Sequence, residues 1–271
     1  MATGKMRYYS LAQAGQTNFR YVLPCDVPPE MVQGNRHFER PAKNLYLLHG
    51  FSGNEDDWEY NGVAEDIAVE YNLNVFMVSA GNSFYLDREA TGCQFATFAG
   101  EEIVAFTRKL FGLSDRREDT LIGGLSMGGF GALHTGLAYP DTFGGILALS
   151  SAYIIHSIAG MKPEDVKEGS LGNYAYYREV FGDLDRLEAS DANPEVLYGR
   201  LAKEKRNIPS IYMAVGTEDM LYASNQELRG FLEQHHADMK YEEGPGIHDW
   251  KFWNHYVRNG VEWLLERNGG K

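Results

Sequence analysis

The chain has 271 residues and a formal net charge of −13. That length suits one large α/β domain able to bury most of its apolar surface, and the acidic balance argues against nucleic acid or an anionic membrane surface as a partner. No run is long enough to span a bilayer, and the start, Met1-Ala2-Thr3-Gly4-Lys5-Met6, has no apolar signal core, so a cytoplasmic protein is expected. Cys25 and Cys93 are the only cysteines and read as two buried thiols rather than a disulfide.

Taken in chain order, two strands near residues 6–12 and 18–24 are expected to form an antiparallel edge. A Pro-rich polar loop then leads to a strand over 44–48, followed by His49-Gly50-Phe51-Ser52-Gly53. The acids Glu55, Asp56, Asp57 and Glu59 read as a solvated loop rather than a cation site. A helix over 63–71, a strand over 73–79 and a helix over 101–110 follow. Next come an apolar strand at Thr120-Leu121-Ile122-Gly123, the segment Gly124-Leu125-Ser126-Met127-Gly128, and Gly129-Phe130-Gly131-Ala132-Leu133 entering a helix. Further strands are expected at 145–149, 208–215 and 239–242, with a helix at the end. Alternating buried strands and helices imply a mostly parallel sheet covered on both faces. Between 151 and 207 the alternation breaks, and Tyr174, Tyr176, Tyr177 and Phe181 fall among acidic helical pieces. This stretch is read as a cap over the site, or an oligomer contact, inside one domain covering 1–271.

A short strand, G-x-S-x-G and a small-residue helix make a nucleophile elbow. A serine hydroxyl is a weak nucleophile unless held towards a base, and a sharp strand-to-helix turn holds it so. The partners should follow in the order acid, then histidine. Glu218 and Asp219 both stand just past the 208–215 strand, where open α/β sheets place their sites. Asp219 is favoured, because the turn after Gly216 should aim the later residue inward. Among eight histidines, His235 and His236 end a polar helix, His134 lies in the helix after the elbow, His37 and His156 occupy loops, and His255 lies in the last helix. His49 ends a strand and reads as a loop brace. His248, in the Gly/Pro loop Glu243-Gly244-Pro245-Gly246-Ile247-His248-Asp249-Trp250, is the expected base. Oxyanion donors are expected from the N–H of Met127, after the nucleophile, and of Phe51, after the early strand. No P-loop, zinc-spaced Cys/His set or H-E-x-x-H is present, so no cofactor or metal is expected.

With these residues in hand, the chain resembles the esterase D family of α/β-hydrolases from about Tyr46 to its final helix. The marks are Leu47-Leu48-His49-Gly50-Phe51-Ser52-Gly53-Asn54 with Trp58, Asn82-Ser83-Phe84-Tyr85, Leu125-Ser126-Met127-Gly128-Gly129, Gly216-Thr217-Glu218-Asp219, and His248-Asp249-Trp250 with Phe252-Trp253. The tributyrin-type carboxylesterase branch is the nearest in pattern, although it often carries a smaller or more flexible residue where this chain has Phe51. The resemblance implies an α/β-hydrolase fold, and a nucleophile, acid and base at Ser126, Asp219 and His248. It also places Trp58, Phe84 and Tyr85 around the serine, where their rings would shorten an acyl pocket. The expected activity is hydrolysis of short-chain acyl esters on small molecules. An S-formylglutathione hydrolase-like thioesterase and an acyltransferase are the runners-up, ahead of a non-catalytic binding protein.

Overall fold

The computed structural model describes residues 1–88, 91–165 and 171–269. Its centre is an eight-stranded sheet: β1 (Ala2–Ser10), β2 (Gly15–Leu23), β3 (Lys43–Leu48), β4 (Leu73–Val78), β5 (Thr120–Leu125), β6 (Gly145–Leu149), β7 (Ser210–Gly216) and β8 (Met239–Gly244). The spatial order is β1-β2-β4-β3-β5-β6-β7-β8. β1 and β2 pair antiparallel, as expected, and β2 joins β4 antiparallel; from β4 through β8 every pairing is parallel. Right-handed crossovers over such a sheet put helices on both faces, which is why the central strands carry apolar residues at nearly every position.

Strict alternation divides the core in two. Tyr46, Phe76, Ile122 and Ile146 face one layer, while Leu45, Val75, Leu121 and Leu147 face the other. The first layer is covered by α3 (Phe95–Thr97), α4 (Ile103–Phe111) and α5 (Met127–Ala138); the second by α1 (Asp57–Tyr60), α2 (Ala64–Tyr71) and the last helix, α10 (Trp250–Arg267). In the 151–207 stretch, α6 (Ile155–Ile158), α7 (Tyr174–Phe181) and α8 (Pro194–Glu204) pack Tyr177, Val180, Phe181 and Leu197 into the same cluster as Phe84 and Phe130. α9 (Tyr222–Gln234) lies between β7 and β8 in the chain.

Element boundaries differ from expectation where the sequence pattern is weak. β1 runs four residues earlier than 6–12, because its alternating half-exposed residues carry no apolar signal and its register is set by pairing from Ala2–Leu23 to Ser10–Gly15. β2 stops before Pro24, which opens a 3₁₀ turn. The cysteine expectation needs correction: both thiols are free, but Cys25 is exposed in that turn and Cys93 is only half-buried in a loop. The acidic loop also departs from the reading. Glu55 is buried against Lys5 at 2.8 Å, and Arg20 pairs with Asp56 and Glu59, so β1 and β2 bring two cations against three of the four acids. Among the described residues no group of His, Cys, Asp and Glu is arranged to hold a metal ion, and no helix is long and apolar enough to cross a membrane.

Candidate active site

β5 delivers Ser126 at the carboxyl edge of the sheet, and α5 begins at the next residue. Ser126 has φ 55° and ψ −120°, a conformation that a side chain adopts only when its surroundings enforce it. The enforcement is visible. Ser126 N–H donates to the Leu149 carbonyl at 2.9 Å, and the Ser126 carbonyl accepts from Ala152 N–H at 2.9 Å and Phe130 N–H at 3.1 Å. Glycine at 124 and 128 is a packing requirement. A Cβ on Gly124 would stand 2.3 Å from the Gly128 carbonyl oxygen, and one on Gly128 only 2.4 Å from that of Leu48.

His248 Nε2 lies 3.0 Å from Ser126 Oγ, and His248 Nδ1 lies 2.9 Å from Asp219 Oδ2. The Asp219 side chain is fully buried, while that of His248 is 19% exposed. Burial works to raise the Asp219 pKa, but it is outweighed by hydrogen bonds from His248, the Leu221 N–H at 2.8 Å and Ser150, which hold the carboxyl below its ordinary value. The two adjacent acids have different jobs. Glu218 accepts the Gly246 N–H at 2.7 Å and donates its own N–H to the Gly246 carbonyl at 3.0 Å, pinning the loop that carries His248. The His248 ring meets Trp253 edge-on at 4.9 Å, and Trp253 Nε1 donates to Ser150 Oγ at 3.0 Å.

Phe51 and Gly50 line the same cleft as Ser126 and His248, and Met127 opens α5 directly beside the serine. Among the described residues, neither the Phe51 nor the Met127 N–H donates to a protein acceptor. His49 is wholly buried. Its Nε2 accepts from Ala80 N–H at 3.1 Å, so its Nδ1 carries the proton and donates to the Gly50 carbonyl at 2.7 Å. Burial pushes its pKa down, which keeps that tautomer neutral.

The cleft has a volume of about 650 Å³ and is walled mainly by Phe51, Ile154, Ile158, Leu171, Tyr177, Met220, Trp250 and Trp253. The expectation that Trp58, Phe84 and Tyr85 would also wall it is corrected. All three are at most 1% exposed and stand outside the lining. Trp58 donates Nε1–H to the Leu48 carbonyl and abuts Trp250; Phe84 packs on Phe130 and Phe181; Tyr85 fills the space that Gly131 leaves and donates its hydroxyl to the His49 carbonyl. Trp58 thus backs the lining through Trp250, whereas Phe84 and Tyr85 find their partners in the body. Sequence reading passed over Ser150, Ile154 and Ile158, named Trp250 and Trp253 only as marks of the resemblance, and named Tyr177 only within the stretch read as a cap. A larger cavity, about 760 Å³, borders α7 at Tyr174 and Phe181 and holds neither Ser126 nor His248.

Comparison with known proteins agrees with this architecture. The family model described as "Putative esterase" matches residues 28–264. An acetyl esterase of Caldicellulosiruptor saccharolyticus is 46% identical over 264 residues, covering 97% of this chain and 98% of that protein. Two Staphylococcus aureus structures are similar in fold. A fluorophosphonate-binding serine hydrolase F has a TM-score of 0.81, and an S-formylglutathione hydrolase has 0.80; each is 24% identical and covers 97% of this chain and 98% of its own. With the α/β-hydrolase fold, a family match over most of its length and a relative this similar end to end, the chain belongs to the esterase family and is a carboxylic ester hydrolase.

Proposed function

We infer that the protein is a serine carboxylesterase in which Ser126, His248 and Asp219 act as a triad on short-chain acyl esters. The observation that carries this reading is the unbroken line from Ser126 Oγ through His248 to Asp219, with steps of 3.0 and 2.9 Å, opening into an apolar cleft. His248 Nε2 takes the Ser126 proton as Oγ attacks the ester carbonyl carbon. Asp219 keeps the His248 proton on Nδ1 and stabilises the imidazolium. The oxyanion forms against the N–H groups of Phe51 and Met127, at the positive end of α5. His248 returns its proton to the departing alcohol, the acyl group remains on Oγ, and water repeats the cycle to release the acid.

The preference for acetyl to butyryl groups rests on Phe51 at the mouth of the oxyanion loop and on the acetyl esterase relative. The test is a fluorophosphonate probe with mass spectrometry, run beside ester turnover of Ser126→Ala. The adduct should sit on Ser126, and the alanine variant should fold and lose about 10⁴-fold or more in kcat. An adduct on Ser52 or Ser83 with Ser126 unmodified would reject the assignment. Matched ester and thioester substrates then separate an esterase from a thioesterase, and excess alcohol reveals acyl transfer.

A further inference from the structure

Of the four acids that follow the loop after β3, one is left without a cation. Lys5 meets Glu55 and Asp56, and Arg20 meets Asp56 and Glu59. Among the described residues, Asp57 has no such partner. Its side chain is half-buried, and a Cβ on Gly53 would collide with Asp57 Oδ2, so the glycine leaves the carboxyl its place. Burial raises the Asp57 pKa against the pull of His49 and the Asn54 backbone N–H, and burial in turn keeps His49 neutral.

This carboxyl lines the same cleft as Ser126 and His248. The described lining contains no lysine and no arginine, so Asp57 gives the cleft an uncompensated negative charge. The same lining carries the rings of Phe51, Tyr177, Trp250 and Trp253. An aromatic face is itself negative and attracts a cation. Rings and carboxylate therefore act in one direction: both favour a positive group in the cleft and both disfavour an anion. The acetyl to butyryl groups inferred above carry no charge, so a charge that Asp57 can read must lie on the alcohol part of the ester.

We propose that Asp57 sets charge selection in the cleft, favouring esters with a cationic alcohol part over neutral ones of the same shape and disfavouring those whose alcohol part carries a carboxylate. The proposal rests on the reading of Ser126 and His248 given above. Asp57 takes no part in bond making. Its field acts on the bound alcohol part inside a half-enclosed, largely apolar cleft, where water screens less than it does at an open surface. That charge is present in the ground state and the transition state alike, so the effect should appear mainly in KM.

The experiment measures kcat/KM at pH 8, above the carboxylate range, for two matched pairs of acetyl esters. Acetylcholine is set against its neutral isostere 3,3-dimethylbutyl acetate, and 4-acetoxybutanoate against the neutral 4-acetoxybutanamide. The parent is compared with Asp57→Asn, Asp57→Ser, Asp57→Glu and Ser126→Ala, and circular dichroism and thermal midpoints report the fold. In the parent the cation should lead its isostere by about fivefold or more, and the anion should trail its amide by as much. Asp57→Asn keeps the shape and an acceptor oxygen, and should bring both ratios to within about twofold of one. Asp57→Ser should do the same, whereas Asp57→Glu keeps the charge and should keep the sense of both ratios. Each ratio is taken within one enzyme, so a general loss of activity cancels. Parent ratios near one, or parent-like ratios in a folded Asp57→Asn or Asp57→Ser, would overturn the charge selection. In that event a silent Ser126→Ala still leaves the triad reading standing, whereas an active Ser126→Ala would remove the reading itself.

Discussion

Ser126, Asp219 and Glu218 show how single positions divide the work. The strained Ser126 backbone costs on the order of 1–3 kcal/mol, and the Leu149 and Ala152 contacts hold it whatever the side chain is. The acids should separate cleanly. Asp219→Asn is expected to lower kcat about 10⁴-fold, because an amide cannot hold the His248 proton on Nδ1 as a carboxylate does. Glu218→Gln should change kcat by less than about threefold, since a glutamine oxygen still accepts the Gly246 N–H. Steady-state kinetics at one pH decide it, and comparable losses would sink the assignment of Asp219. His134 makes a residue-scale prediction about stability. Its Nε2–H donates to the Asp191 carbonyl at 3.0 Å, and burial pushes its pKa down to about 4 from 6.5. The folded state therefore keeps it neutral while the unfolded chain takes up a proton. Its contribution is fully present above pH 6.5 and is lost as pH falls towards 4, a swing of about 3 kcal/mol. Denaturant titrations from pH 7 to 4 should show His134→Gln losing less stability over that range than the parent; parallel curves would refute the prediction.

At the scale of elements, the elbow works because β5, β3 and α5 approach more closely than side chains allow. A methyl on Gly128 would meet the carbonyl oxygens of Leu48 and His49 at 2.4 and 2.6 Å, and backbone cannot yield as a side-chain tip can. Gly128→Ala should destabilise the protein by about 1–3 kcal/mol and also cut turnover, because β3 leads into the loop proposed to hold the oxyanion. Thermal unfolding and ester kinetics on the same preparation test this, and a variant with unchanged midpoint and rate would contradict it. The elbow strand and the late acid strand were legible because β5 and β7 are apolar, parallel and followed at once by chemistry-bearing residues. The start of β1 was not, because half-exposed alternation of Thr, Lys, Arg and Tyr looks the same in a loop.

For the whole molecule, the walls of the cleft come from elements far apart in the chain. Phe51 comes from the loop after β3, Ile154 and Ile158 from the cap stretch, and Trp250 and Trp253 from α10. An acyl series on one alcohol should peak between acetyl and butyryl in kcat/KM. Each buried methylene adds only about 0.8 kcal/mol before the walls clash, so the rise should be shallow and the fall steep. Phe51→Ala should move the optimum towards longer chains. A maximum at octanoyl or beyond in the parent, or an unmoved optimum in the variant, would reject the role of the ring.

The sequence by itself determined a mostly parallel α/β sheet with an elbow at Ser126, followed in chain order by a candidate acid and a candidate histidine. Those features are local: an apolar strand, a glycine-framed turn and a residue just past a strand end are each visible within ten positions. It also singled out Asp219 over Glu218 from the turn alone, and the geometry places Asp219 against His248. Which aromatic rings face the cleft was decided only by the tertiary structure. Trp58, Phe84 and Tyr85 lie next to site motifs, yet each points where an apolar partner or a carbonyl awaits it: Trp250 and the Leu48 carbonyl, Phe130 and Phe181, Gly131 and the His49 carbonyl. The direction of a side chain is set by what packs against it from distant parts of the chain, and no local pattern encodes those partners.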